Sequence, residues 1–217
     1  MGGIITKWND KEILASNPRI ATSIPATNVT VVYRSGTSGT SNNTLQYLNA
    51  FAPSIWAKVQ DDFSTAFPNS VAPASSLTGK DNATIIATIN ATDGAIGYVD
   101  FSDAKGYPVA RIQNASGEFI APSAASASKN LAQQTNIGTN GLVQLDYQSK
   151  IKGAYPMSIF SYGLARIDGK GPNGLGVRQF EDYVIQKCGP SRAAQLGYVP
   201  VAGPVLAKAK ALVATIS

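Results

Sequence analysis

The chain has 217 residues, 44% of them apolar, enough for one large domain or two small lobes with a real core. Its formal charge of +5 comes from only 14% charged residues, spread without a basic arm or stripe, which argues against nucleic-acid binding and suits a small anionic ligand. A single cysteine, Cys188, and no histidine exclude an internal disulfide, Cys/His zinc sites and Ser-His-Asp or Cys-His catalysis within this chain, so neither metal nor cofactor is expected.

Taken in chain order, residues 10–15 have helical spacing after Trp8, and Asn17-Pro18 ends that turn. Residues 29–33 are apolar and β-branched and predict a buried strand. The loop Arg34-Ser35-Gly36-Thr37-Ser38-Gly39-Thr40 follows, with a helix starting near Ser41 and running over 43–56, and helical character continuing over 57–67. Residues 68–82 read as loop, 83–90 as a short helix, 95–99 as a second strand and 101–105 as a helical turn. A third strand is predicted over 109–113 with a return over 118–120, then a surface helix over 121–134.

The apolar, aromatic stretch 155–167 predicts a long buried strand, followed by a glycine-rich loop over 168–176. A helix over 177–188 is expected to stop at Gly189-Pro190, with a short helix over 191–196, extended chain over 198–204 and a last amphipathic helix over 205–216. Strands alternating with helices predict α/β layers with a largely parallel sheet. The best internal break lies near residues 150–154, and no apolar run reaches membrane-spanning length. The opening ten residues carry no apolar signal core behind a basic stretch.

The loop after the first strand concentrates the chemistry. Helix N-termini leave backbone N–H groups unpaired and carry partial positive charge. Gly36 and Gly39 let the backbone approach an anion closely. Ser38 and Thr40 add hydroxyls, and Arg34 adds a planar, charged, bidentate donor. Such a set suits a tetrahedral oxyanion. The loop lacks the lysine of a Walker sequence, which argues against a nucleoside triphosphate. The same residues also suit a simple helix cap, and these two readings stay open on the residues alone. Ser126 to Lys129 matches S-x-x-K but has no S-D-N or K-T-G partner. Asp100 and Asp103 follow a strand and could line a cleft or sit on a solvated turn, and Trp8, Trp56 and Cys188 read as packing residues.

Ordered landmarks now resemble one family. They are Ile5-Thr6-Lys7-Trp8-Asn9-Asp10, Val31 to Ser35 with Ser38-Gly39-Thr40, and Gly79-Lys80-Asp81-Asn82. Gly94-Ala95-Ile96-Gly97-Tyr98-Val99, Ala154-Tyr155-Pro156-Met157 and Leu196-Gly197-Tyr198-Val199-Pro200 complete the set. The chain resembles the phosphate-binding proteins of bacterial ABC phosphate importers, the PstS-like group, and its Val-Val-Tyr-Arg-Ser run is similar to the DING branch. The resemblance implies an α/β, type II periplasmic-binding fold with no catalytic site. Residues 1–153 would form the second lobe, and 154–217 would return into an incomplete first lobe.

Phosphate would be held by Arg34, Ser38, Gly39 and Thr40, through the guanidinium, the two hydroxyls and the N–H groups of Gly39 and Thr40. Implied partners are inorganic phosphate, the membrane permease of the importer and a chain supplying the missing first lobe. The implied location is periplasmic or extracellular. Where the family has an acidic partner for the arginine this chain has Gly36, which should leave Arg34 freer and the site more positive. A DING-type phosphatase and a partner-binding remnant are the alternative readings.

Overall fold

A computed structural model describes residues 1–168 and 173–217. The described chain forms two compact units, Met1–Ala104 and Lys105–Ser217. The sequence break near 150–154 lies inside the second of these.

The first unit is built on a parallel sheet. Helix α1 (Lys11–Ser16) opens the chain, capped by the Asp10 carboxylate, which accepts from the Glu12 N–H. Strand β1 (Thr30–Arg34) comes next, then α2 (Gly39–Phe51), β2 (Leu77–Gly79), α3 (Asn82–Ala91) and β3 (Ala95–Gly97). The strand order is β2-β1-β3, with Arg34 opposite Gly79 on one side and Val32 opposite Gly97 on the other. β2 falls in a stretch expected to be loop. It is three residues long and two of them face solvent, so it carries no apolar run to betray it.

Period-two alternation divides β1 between two faces. Val31 joins Leu45 of α2, Trp56, Phe63, Phe67 and Tyr98 in one cluster. The Phe63 ring lies 5.1 Å from both the Phe67 and Tyr98 rings and 5.6 Å from Trp56. Phe63 and Phe67 sit not in the helix expected over 57–67 but around a single 3₁₀ turn, Phe63–Ala66, capped by the Asp62 carboxylate. Val32 points to the opposite face, where α3 packs. There Ile85 approaches the sheet so closely that a Cβ on Gly79 would lie 2.8 Å from the Ile85 nitrogen. Glycine at this position is therefore what lets α3 seat its N-terminus beside the end of β2.

The second unit opens with a short antiparallel pair, β4 (Ile112–Gln113) and β5 (Phe119–Ile120), turned by the Asn114 side chain, which accepts from the Ser116 and Glu118 N–H groups. Helix α4 (Ala124–Leu131) follows, and α5 (Gly174–Tyr183), α6 (Gly189–Leu196) and α7 (Gly203–Val213) complete the unit. The break expected at Gly189-Pro190 does not occur. A π turn, Val184–Cys188, joins α5 to α6, and the Gly189 N–H reaches back to the Val184 carbonyl. The wider π register makes room for a proline that has no N–H and would crowd the preceding carbonyl of a regular helix. The stop comes at Gly197, in the left-handed region at φ 84°.

The largest departure concerns residues 155–167, which form no strand and belong to no sheet. Leu164 is 95% exposed and Ile167 66%. The start of the stretch is held by single bonds rather than by a strand ladder: the Tyr155 N–H donates to the Ser126 carbonyl at 3.0 Å and Asn130 Nδ2 donates to the Pro156 carbonyl at 3.4 Å. Helix α5 likewise buries no residue and exposes Leu175, Phe180 and Tyr183. The glycine-rich loop expected over 168–176 lies partly outside the described residues, and its last part, from Gly174, is already helical.

Candidate functional site

The expected anion loop sits at the carboxyl end of β1, the central strand. From β1 the chain passes to β2 on one side, then crosses through α3 to β3 on the other. In open α/β sheets ligands bind above the carboxyl ends of strands where the order reverses in this way. Gly36 has φ 78°, in the left-handed region, and turns the chain from strand towards helix.

Helix α2 begins earlier than its apolar spacing suggests. Ser38 is the N-cap and its Oγ accepts from the Ser41 N–H at 3.3 Å. Gly39 and Thr40 are then the first two helical residues, whose N–H groups have no intrahelical partner. Capping and anion binding are thus compatible: the cap consumes the Ser41 N–H and leaves those of Gly39 and Thr40. A Cβ at Gly36 or Gly39 would meet nothing within 4 Å, so the space in front of the loop is open.

Arg34 is held rather than free. Its Nε donates to the Lys80 carbonyl and its Nη1 to Asn82 Oδ1, each at 3.2 Å. Both acceptors are neutral, and Arg34 makes no ion pair among the described residues. The expectation of a freer arginine is therefore corrected: the β2–α3 turn fixes its inner edge. A guanidinium has five N–H donors, and those on Nη2 remain for a ligand. The Arg34 N–H donates to the Tyr98 hydroxyl, which also bonds Ser41 Oγ at 2.7 Å, with Ser41 fully buried. Burial, the largest influence, pushes the Tyr98 phenol upward, so it stays neutral across the physiological range.

Asn82 and Asp100 were not among the expected ligands, yet the structure brings both to Arg34 and Thr40. Asn82 Nδ2 donates to Asp100 Oδ2 at 2.9 Å and to Asp103 Oδ2 at 2.6 Å. Thr40 Oγ1 donates to Asp100 Oδ1 at 3.3 Å. The sequence signals were the carboxylates just after a strand and the Gly79-to-Asn82 turn, but nothing in the sequence alone ties either to Arg34.

Asp81 caps α3, accepting from the Thr84 Oγ1 at 2.6 Å and its N–H at 2.8 Å. The Thr84 hydroxyl first, then its N–H, hold the Asp81 carboxyl below the ordinary range, with Lys80 and Arg34 adding attraction. A carboxyl depressed by folding stabilises the fold above its unfolded value of about 3.9, and that gain is lost as pH falls through the lower folded value. Circular-dichroism melts should therefore drop less steeply below pH ~4 for Asp81→Asn than for the wild type; parallel slopes would remove Asp81 from the acid response.

Comparisons with known proteins add the following. The sequence model of a family described as "PBP superfamily domain" matches residues 1–187. The chain is 31% identical over 227 residues to the phosphate-binding protein PstS 2 of Mycobacterium tuberculosis, covering 99% of this chain and 58% of the relative. It is 29% identical over 204 residues to the phosphate-binding protein PstS of Xylella fastidiosa strain 9a5c, covering 92% of this chain and 53% of that protein. In the regions matched, then, the chain spans little more than half the length of these curated relatives. Among solved structures it is similar to a periplasmic phosphate-binding protein, PfluDING, bound with phosphate. That match has a TM-score of 0.64 at 18% identity and covers 96% of this chain and 61% of the other. This likeness supports the expected fold class, α/β of the type II periplasmic-binding kind.

Proposed function

The chain belongs to the PBP superfamily domain family, and from that membership we propose that it captures inorganic phosphate as the substrate-binding part of an ABC phosphate transport system. One observation carries the reading. The loop from Arg34 to Thr40 sets an anchored guanidinium beside two unpaired helix N-terminal N–H groups at the carboxyl end of the central strand. The proposed ligands are Arg34, Ser38, Gly39 and Thr40. The relatives bear the names of binding proteins, and the reading is accordingly one of binding without catalysis.

On this reading residues 1–153 are the family's second lobe and 154–217 return into the first. The exposed apolar side chains of Leu164 and Ile167 and those on α5 support that division. A further stretch of polypeptide, joined to this chain or separate, covers them, since exposed apolar surface of this extent marks an interface. The partner in the membrane is the importer's permease, and the compartment is periplasmic or extracellular. Among the described residues no helix is long and apolar enough to cross a membrane.

Isothermal titration of inorganic phosphate into this chain is expected to give saturable heat. For residues 1–217 titrated alone the affinity should fall below that of a two-lobe relative, because on this reading one lobe's donors act alone and each charge-assisted bond is worth about 1.5–3 kcal/mol. Absence of saturable heat would leave shared ancestry without the function.

A further inference from the structure

The first unit holds a cavity at the other end of the central strand from the anion loop. Asn28 and Val29, just ahead of β1, open onto it, and its volume is about 1100 Å³. Small-ligand sites span roughly 300–1,000 Å³, so this one matches the largest of them. Its floor is apolar and buried: Val31, Ala66 and Phe67 are each 2% exposed. Its rim is apolar too, yet open to water, with Ile4 72%, Ile55 37% and Val71 68% exposed. Apolar residues gathered on an exposed concave surface mark a binding site.

The charge of the lining is one-sided. Lys58 is the only charged side chain that lines the cavity, and among the described residues no carboxylate side chain does. Its Nζ donates to Ser70 Oγ at 3.1 Å. An ammonium has three N–H groups, so two remain for a ligand.

The loop that carries Ser70 is sharply bent. Asn69 and Ser70 both lie in the left-handed region, at φ 58° and 56°, although neither is glycine. Two such residues in succession are strained, and such backbone persists where its surroundings hold it, ligand clamps among them. The Ser70 N–H donates to the Phe67 carbonyl at 2.8 Å, so one turn sets the buried ring and the partner of Lys58 on the same wall. The chain's first residues form the facing wall. There Gly3, at φ 79°, comes so near Pro73 that a Cβ would lie 3.0 Å from its ring.

We propose that this cavity binds a small amphipathic monoanion, an alkyl carboxylate, with its head on Lys58 and its tail over Ile55, Phe67 and Val71. The lone cation selects the sign of the head, and the apolar floor takes the tail out of water. No residue of the Arg34-to-Thr40 loop lines the cavity, so the proposal does not rest on phosphate binding.

Decanoate, kept below its micellar range, would be titrated calorimetrically into the wild type, Lys58→Met, Val71→Asp and Arg34→Ala. Decylammonium is the oppositely charged probe, and circular dichroism is the folding control. The expected result is saturable heat with one decanoate per chain. The affinity should fall about fivefold in Lys58→Met, as suits an exposed ion pair. It should fall about tenfold or more in Val71→Asp, which sets a carboxylate on the rim. Decylammonium should bind the wild type more weakly than decanoate does and gain affinity in Val71→Asp. Both positions are exposed, and Lys58→Met decides the matter if Val71→Asp does not fold. Unchanged decanoate affinity in Arg34→Ala supports a site away from the anion loop. Loss of decanoate binding in that variant, equal binding of the two probes to the wild type, or no saturable heat overturns the proposal. Sedimentation in which Val71→Asp splits a wild-type dimer would assign the cavity to a second copy of the chain and overturn it as well.

Discussion

Arg34→Ala is expected to weaken phosphate binding by roughly a hundredfold or more, the largest single loss available at the site. The guanidinium is the one cationic side chain that the loop itself contributes, and its bonds to phosphate would be charge-assisted. Its inner edge is already anchored on the Lys80 carbonyl and Asn82 Oδ1, so little side-chain entropy remains to be lost when ligand arrives. Arg34→Lys separates charge from geometry. A lysine ammonium keeps the charge but cannot hold the Lys80 and Asn82 acceptors and a phosphate with one planar fork. It should recover only part of the loss. The Arg34 backbone N–H bond to Tyr98 survives in both variants, so the melting temperature should move by only a few degrees. Near-wild-type affinity in Arg34→Ala would take the phosphate site away from this loop.

How legible this site was depends on how far apart its parts lie in the chain. Arg34 and Ser38 to Thr40 are contiguous, and strand-then-glycine-then-helix is a local pattern, so the sequence carries them. Asn82 and Asp100 reach the site only because β2 and β3 flank β1, and that order is a property of the sheet. β2 itself is too short and too exposed to leave a period in the sequence. The start of α2 was placed late because its first residues are small and polar, and a cap serine announces a helix before its apolar spacing does.

The clearest mismatch, the stretch 155–167, has a different cause. Its composition is that of a buried strand, while the structure leaves Leu164 and Ile167 in solvent. Sequence pattern records the surroundings in which residues were selected, and among the described residues no strand forms a ladder with this stretch. The π turn before Pro190 shows the opposite limit. Gly-Pro is a strong stop signal locally, yet one widened turn lets the helix run on to Gly197.

The second large effect concerns the core beneath the loop. Phe63→Ala should destabilise the first unit by about 3–5 kcal/mol, the usual cost of emptying a buried phenylalanine site. Phe63 is fully buried and its ring contacts those of Tyr33, Trp56, Phe67 and Tyr98. The neighbours are large rings fixed on different elements, so they cannot collapse cheaply into the space. Against a typical total of 5–15 kcal/mol for a domain, such a loss is a large fraction of stability.

The damage should also reach the ligand. Tyr98 packs on Phe63 with its ring and holds Ser41 and the Arg34 N–H with its hydroxyl, so loosening the ring loosens both ends of the loop. Urea unfolding followed by tryptophan fluorescence reads this directly, since Trp56 lies in the same cluster and is buried. Tyr98→Phe provides the comparison: it keeps the packing but leaves the buried Ser41 hydroxyl and the Arg34 N–H without their partner, at about 1–3 kcal/mol. If phosphate affinity falls in Tyr98→Phe while the fold persists, the core positions the loop through that hydroxyl. If Phe63→Ala leaves the urea midpoint unchanged, the aromatic cluster is not what holds the first unit together.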